Sequence, residues 1–141
     1  MSGPTDDERA RCATVRAAFQ AAPFYDLLGI RVETERPGTS RLTLSNRAEL
    51  RQSQGGVHGG ALMSLADSAM GVALGTALRE GDAWSTVEMT TQFLEPVGGS
   101  DVVAEAAVAR LGRTLAFLDC SLESEGRLVA RARAIFRVRR A

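Results

Sequence analysis

The stretch Gly55-Gly-Val-His-Gly-Gly-Ala-Leu-Met-Ser-Leu-Ala-Asp-Ser-Ala-Met-Gly-Val-Ala-Leu-Gly-Thr-Ala-Leu78 reads as a glycine-rich turn running into one long apolar helix. From Ala61 to Leu78 the only charged side chain is Asp67. No face of this helix looks solvated, and a helix apolar all round is normally buried. Removing a carboxylate from water costs on the order of several kcal/mol unless it is paired. Asp67 is therefore the leading candidate for a working group, and the competing reading is a structural acid satisfied by a backbone amide or a neighbouring chain. Gly59 and Gly60 stand where the helix begins. Amides there carry the positive end of the helix dipole and can hold a developing oxyanion. About 18 apolar residues would also suit a membrane span. Against that, Ser64, Asp67, Ser68, Gly71, Gly75 and Thr76 weaken the run, and no second one exists.

Composition narrows the class. The 141 residues suit one domain with a real core. A formal net charge of zero, with no charge run, argues against nucleic acid as a partner. Every one of the 17 basic residues is an arginine, which by itself points to no function. The N-terminal residues Met1-Ser-Gly-Pro-Thr-Asp-Asp-Glu-Arg lack the features of a signal peptide, so a cytoplasmic location is expected. Cys12 and Cys120 then read as reduced thiols. With His58 the only histidine, no cluster has metal-ligand spacing, and no metal is expected.

Outward from the central helix, the N-terminal residues 1–23 form a helical segment. Val15, Ala18, Phe19 and Ala22 recur at helical spacing within Asp6 to Ala22, and Pro23 ends the helix. Residues 24–141 form a single domain. Leu28 to Glu35 and Ser40 to Ser45 alternate apolar with polar residues around Pro37-Gly38, as a hairpin does. Beyond the helix, four extended runs follow: Ser85 to Leu94, Asp101 to Leu111, Thr114 to Ser124, and a last one after Glu125-Gly126. In the first, Val87, Met89, Thr91 and Phe93 alternate against Thr86, Glu88, Thr90 and Gln92. In the last, Leu128, Ala130, Ala132, Ala134, Phe136 and Val138 share one face. Strands joined by tight turns make an antiparallel sheet, and the long apolar helix must pack on its apolar face. The expected class is α+β, a curved antiparallel sheet wrapped around one long central helix.

With His58-Gly59-Gly60 leading into a helix that carries Asp67, the chain resembles the hotdog-fold acyl-CoA thioesterases, of the phenylacetate-degradation and 4-hydroxybenzoyl-CoA types. The likeness spans roughly Phe24 to Arg139. Thr86-Val-Glu-Met-Thr-Thr-Gln-Phe-Leu-Glu-Pro96 and Gly112-Arg113 support it. The resemblance implies that Asp67 is nucleophile or general base, that the Gly59 amide polarises the thioester carbonyl, and that Gln52 helps bind it. Many members carry asparagine at the place of Gln52. Where one branch has a hydroxyl one turn after its acid, this chain has Gly71, and Thr86 resembles the other branch's way of orienting water. His58, Gly60 and Ser68 are candidate substrate contacts, although His58 reads first as a structural residue that fixes its loop. Arg110 and Arg113 flank the turn that the family places near the nucleotide, and arginine suits phosphate; the competing reading is that they cap a solvated hairpin.

Thioester hydrolysis needs a donor for the carbonyl oxygen and a carboxylate, and the thiolate leaves readily. No cofactor is implied beyond the coenzyme A of the substrate. Two other readings stand beside it: a hotdog dehydratase or hydratase, which would use a histidine with an acid, and a non-catalytic acyl-thioester binding module. Gly59 and Asp67 are eight residues apart on one helix, so one chain can hardly bring both to a single carbonyl. A homodimer with shared active sites is expected, and the resemblance implies a further pairing into a dimer of dimers.

Overall fold

A computed structural model describes residues 2–141. The N-terminal segment holds two helices, α1 (Asp6–Gln20) and α2 (Pro23–Leu28). Thr5 caps α1 in a reciprocal capping box with Glu8. The expectation of one helix ended by Pro23 is corrected here. The chain leaves α1 after Gln20, and Pro23 starts α2, where a missing N–H costs nothing. Gly29, at φ 77° in the left-handed region, ends α2 and feeds the first strand.

The strands are β1 (Ile30–Glu33), β2 (Thr39–Leu44), β3 (Ala83–Phe93), β4 (Val102–Leu111), β5 (Leu115–Ser124) and β6 (Arg127–Arg139). They form one antiparallel sheet in the order β1-β2-β4-β5-β6-β3. Between β2 and β3 the chain makes α3 (Gly59–Ala77), the central helix. This is the hotdog arrangement. Leu65, Ala66, Ala69, Met70, Val72 and Leu74 of α3 are fully enclosed. They meet Leu42 and Leu44 of β2, Val102 and Ala104 of β4, Leu118 and Leu122 of β5, and Ala130 to Phe136 of β6. The alanines of β6 leave room for the helix, as their spacing on one face requires.

Polar contacts pin α3 at several levels. Ser40 Oγ donates to the Ala69 carbonyl at 2.6 Å, and the Gly38 amide donates to Thr76 Oγ1 at 2.9 Å. The helix has no basic residue in its last turn. Arg11 of α1 supplies that charge instead, donating to the carbonyls of Gly75 and Leu78 at 3.1 Å each. A guanidinium against terminal carbonyls satisfies groups that the helix leaves orphaned and opposes its dipole.

Two bulges change which residues face inward. In β3 the register with β6 shifts between Thr86 and Glu88, so Val87 is the extra residue. Thr86 pairs with Phe136 and Met89 with Ala134, both inward-facing partners. Plain alternation sets Thr86 opposite Met89, and the bulge puts the two on the same face. A second shift lies between β5 and β6 near Leu122 and Glu123. There Val129 turns inward at 1% exposure while Leu128 stands 42% exposed, which corrects the assignment of Leu128 to the inner face. Among the described residues no helix is long and apolar enough to cross a membrane.

Candidate active site

The approach to α3 is a tight, internally bonded loop. The Gln52 amide donates to the Gly56 carbonyl at 2.8 Å and the His58 amide to the Leu50 carbonyl at 2.7 Å. The Val57 amide bonds the Val97 carbonyl, tying the loop to the segment that follows β3. The loop packs closely at two of its glycines. A Cβ on Gly56 would stand 3.0 Å from the Val97 carbonyl oxygen, and one on Gly59 would stand 3.2 Å from Phe93 Cζ.

His58 is the N-cap of α3, its Nδ1 accepting the Gly60 amide at 2.8 Å. This resolves the roles of the two glycines. Gly60 commits its N–H to the cap, whereas the Gly59 N–H finds no acceptor among the described residues. A free amide at the start of a 19-residue helix is a preformed donor for an oxyanion. Gln52 lies in the same loop, but its Oε1 already accepts the Gln54 amide.

Two turns along, Asp67 is half-buried rather than enclosed, because it faces the groove between α3 and β3. Thr86 Oγ1 donates to Asp67 Oδ1 at 2.6 Å. That bond holds one carboxylate oxygen and leaves the other open. Ser68, the next residue on the helix, turns away from the groove and is 8% exposed. It lies beside Tyr25 of α2, whose phenol is pushed up to about 12 by burial, with Ser68 opposing the rise and the Asp67 charge adding to it. Tyr25 itself was invisible as a site neighbour in the sequence. No periodicity links a residue of a six-residue helix to one forty positions later.

Phe19 packs against Tyr25 with ring centroids 5.9 Å apart and stacks on Trp84 at 6.1 Å. Trp84 Nε1 donates to the Gly71 carbonyl at 2.9 Å. The N-terminal helices and β3 thus clamp α3 just beyond Asp67. Arg110 and Arg113 lie away from this groove. Both are exposed, Arg110 beside a bulge at Ala109 in β4 and Arg113 in the turn between β4 and β5. The helix α3 thus carries a carboxylate held by a hydroxyl and, about two turns before it, an amide that has no acceptor among the described residues. Those are the parts of a general-base or nucleophilic attack on a polarised carbonyl.

Comparison with known proteins agrees with the chemistry of the groove. Residues 54–131, from the loop into the start of β6, match the Thioesterase superfamily. The human acyl-coenzyme A thioesterase 13 is 29% identical over 123 residues, covering 84% of this chain and 87% of that protein. A thioesterase family protein from Silicibacter pomeroyi superposes with a TM-score of 0.85 at 29% identity, over 94% of this chain and 99% of that one. A mutant of the phenylacetic acid degradation protein PaaI from Thermus thermophilus has a TM-score of 0.77 at 31% identity, covering 85% of this chain and 100% of that one. This chain belongs to the thioesterase superfamily and is a hotdog-fold thioester hydrolase.

Proposed function

We propose that the protein hydrolyses acyl-CoA thioesters, aryl or of short to medium acyl chain, with Asp67 as nucleophile or general base. The observation that carries this reading is the 2.6 Å bond from Thr86 to Asp67 in an open groove. A hydroxyl fixed there orients the carboxylate, or the water it activates, while the second oxygen stays available. The Gly59 amide polarises the carbonyl, with Gln52 Nε2 beside the loop as a second donor. The His58 cap counts against a dehydratase, since a neutral imidazole whose Nδ1 accepts the Gly60 amide carries its proton on Nε2 and has no free ring nitrogen left to act as a base.

The site is completed by a second copy of the chain. Eight residues of helix separate Gly59 from Asp67 by about 12 Å along the axis. A two-fold axis passing near Met63, midway between them, sets Gly59 of one protomer beside Asp67 of its partner, twice over. Strand β3 supports that arrangement. It is an edge strand of 11 residues with Val87 61% and Phe93 51% exposed, the kind of edge that pairs with another chain.

The test is thiol release from a panel of acyl-CoAs by the wild type and by Asp67→Asn. The variant removes the charge at nearly constant volume, so kcat should fall at least ~100-fold while the circular dichroism spectrum is kept. A variant retaining a tenth or more of wild-type kcat would show that Asp67 is not the catalytic group.

A further inference from the structure

Phe93 is the last residue of β3, and its cross-strand partner Ala130 is enclosed, so the ring lies on the inner face of the sheet, the side of α3. Phe136 on the same face is buried beneath the helix, whereas Phe93 stays half exposed at the level where the helix begins. What the ring meets there is Gly59. A Cβ on Gly59 would stand 3.2 Å from Cζ, 3.4 Å from Cε1 and 3.8 Å from Cε2, so the outer edge of the ring lies against the first residue of α3. The Cα–Cβ bonds of a helix tilt towards its N-terminus, which is also the direction in which its first amides point. The ring edge therefore stands on the side from which an acceptor approaches the Gly59 N–H.

Ring and amide are held in place from two directions. The Leu94 amide donates to the Val129 carbonyl at 2.8 Å, fixing the end of β3 to β6. The Val57 amide donates to the Val97 carbonyl at 3.2 Å, fixing the segment after β3 to the loop that opens α3. The neighbouring Gly60 amide has no need of cover, being bonded to His58 Nδ1. The amide left without an acceptor is the one beside the ring.

Resting on the acyl-CoA reading above, we infer that Phe93 is a positioning residue for the hydrolysis: its ring keeps water off the Gly59 amide, so that the thioester carbonyl meets a dry donor. A donor already bonded to water exchanges one hydrogen bond for another and gains little. The same donor in a low-dielectric setting attracts a developing oxyanion more strongly. This role asks for no free surface on β3. The contact lies within one chain, and a second copy paired along β3 covers the open side of the ring and dries the site further.

The experiment uses the intact protein, an acyl-CoA, and its dethia analogue, in which a methylene replaces the sulfur so that the carbonyl binds without being hydrolysed. In the wild type the infrared stretch of the bound, isotope-labelled carbonyl should lie below its frequency in water, the mark of a donor stronger than solvent. Phe93→Gln and Phe93→Met have nearly the same length and differ in polarity. In Phe93→Gln the frequency should return to the water value and kcat should fall about tenfold, part of the roughly 10²- to 10³-fold that a whole oxyanion donor is worth, with KM within about twofold. Phe93→Ala, which opens the site without adding a polar group, should behave in the same way. Phe93→Met should keep the infrared shift and hold kcat within about threefold, since a flexible apolar chain of that reach still excludes water. A wild-type shift that survives in Phe93→Gln and Phe93→Ala would overturn the inference and leave Gly59 as the donor. So would equal losses in Phe93→Met and Phe93→Gln, which mark a packing role, or loss of the dimer in Phe93→Gln and Phe93→Ala by sedimentation, which marks an interface residue. If the wild type itself shows no shift below the water value, the Gly59 reading fails and the shielding role fails with it. The infrared reading needs no turnover, so it is independent of which acid is catalytic.

Discussion

Thr86 reaches Asp67 because one extra residue sits in β3. Without the bulge at Val87 its hydroxyl would face outward with Glu88, and the carboxylate would lose its one hydrogen-bond partner among the described residues. Tyr25 is the other residue whose setting matters. Burial holds its phenol near 12 against an ordinary value of 10.0. Its folded-state pKa is raised, so its contribution to stability is complete below pH 10. Above that the unfolded chain ionises first, and the contribution is lost as pH rises towards 12. Cys120, raised from 9.0 to about 12 by burial, acts in the same direction from a lower starting pH. Tyr25→Phe should therefore flatten the alkaline limb, sparing roughly 2 to 3 kcal/mol of the loss between about pH 8 and pH 12. Urea unfolding of both proteins across that range checks it. Parallel curves would show that the phenol does not resist ionisation.

At the scale of the element, α3 is held by what approaches it as much as by its own sequence. Gly75 admits Trp84: a Cβ there would stand 2.5 Å from Cζ2 and 2.8 Å from Cη2 of the indole. The ring cannot easily yield, being tied to the Gly71 carbonyl and stacked on Phe19. Alanine is the better helix former by about 1 kcal/mol, but overpacking of this kind costs about 1 to 3 kcal/mol. Gly75→Ala should thus destabilise the protein in spite of its helix propensity. A lowered urea midpoint at unchanged slope is the expected result, and a raised midpoint would mean that the indole moves aside freely. Because Trp84 lies two residues before Thr86, activity should fall along with stability.

For the whole molecule, the decisive question is whether two chains share each site. Asp67→Asn removes the acid and Gly59→Pro removes the amide proton at the oxyanion turn. Each variant should be inactive alone. After mixed refolding, heterodimers should regain one intact site of the two, with activity approaching about a quarter of wild type if chains assort randomly. Subunit exchange is followed in parallel by native mass spectrometry. Heterodimers without activity would sink the shared site, and so would a fully active monomer at assay concentration.

Much of this architecture was legible because it rests on local patterns. Alternation marked the strands, tight turns implied antiparallel pairing, and an all-apolar helix with one acid announced both the core and Asp67. The His58-Gly59-Gly60 turn showed where the helix starts, since capping is a matter of neighbouring residues. What tertiary structure alone decided depends on contacts between distant segments or on one-residue shifts of register. The bulges at Val87 and Val129 reverse the faces that alternation assigns, because a period of two carries no memory across an inserted residue. The capping of α3 by Arg11, the Tyr25–Ser68 contact and the closing of Phe93 on Gly59 join residues tens of positions apart. Only the packed sheet and helix bring such groups together, and sequence spacing has no term for that proximity.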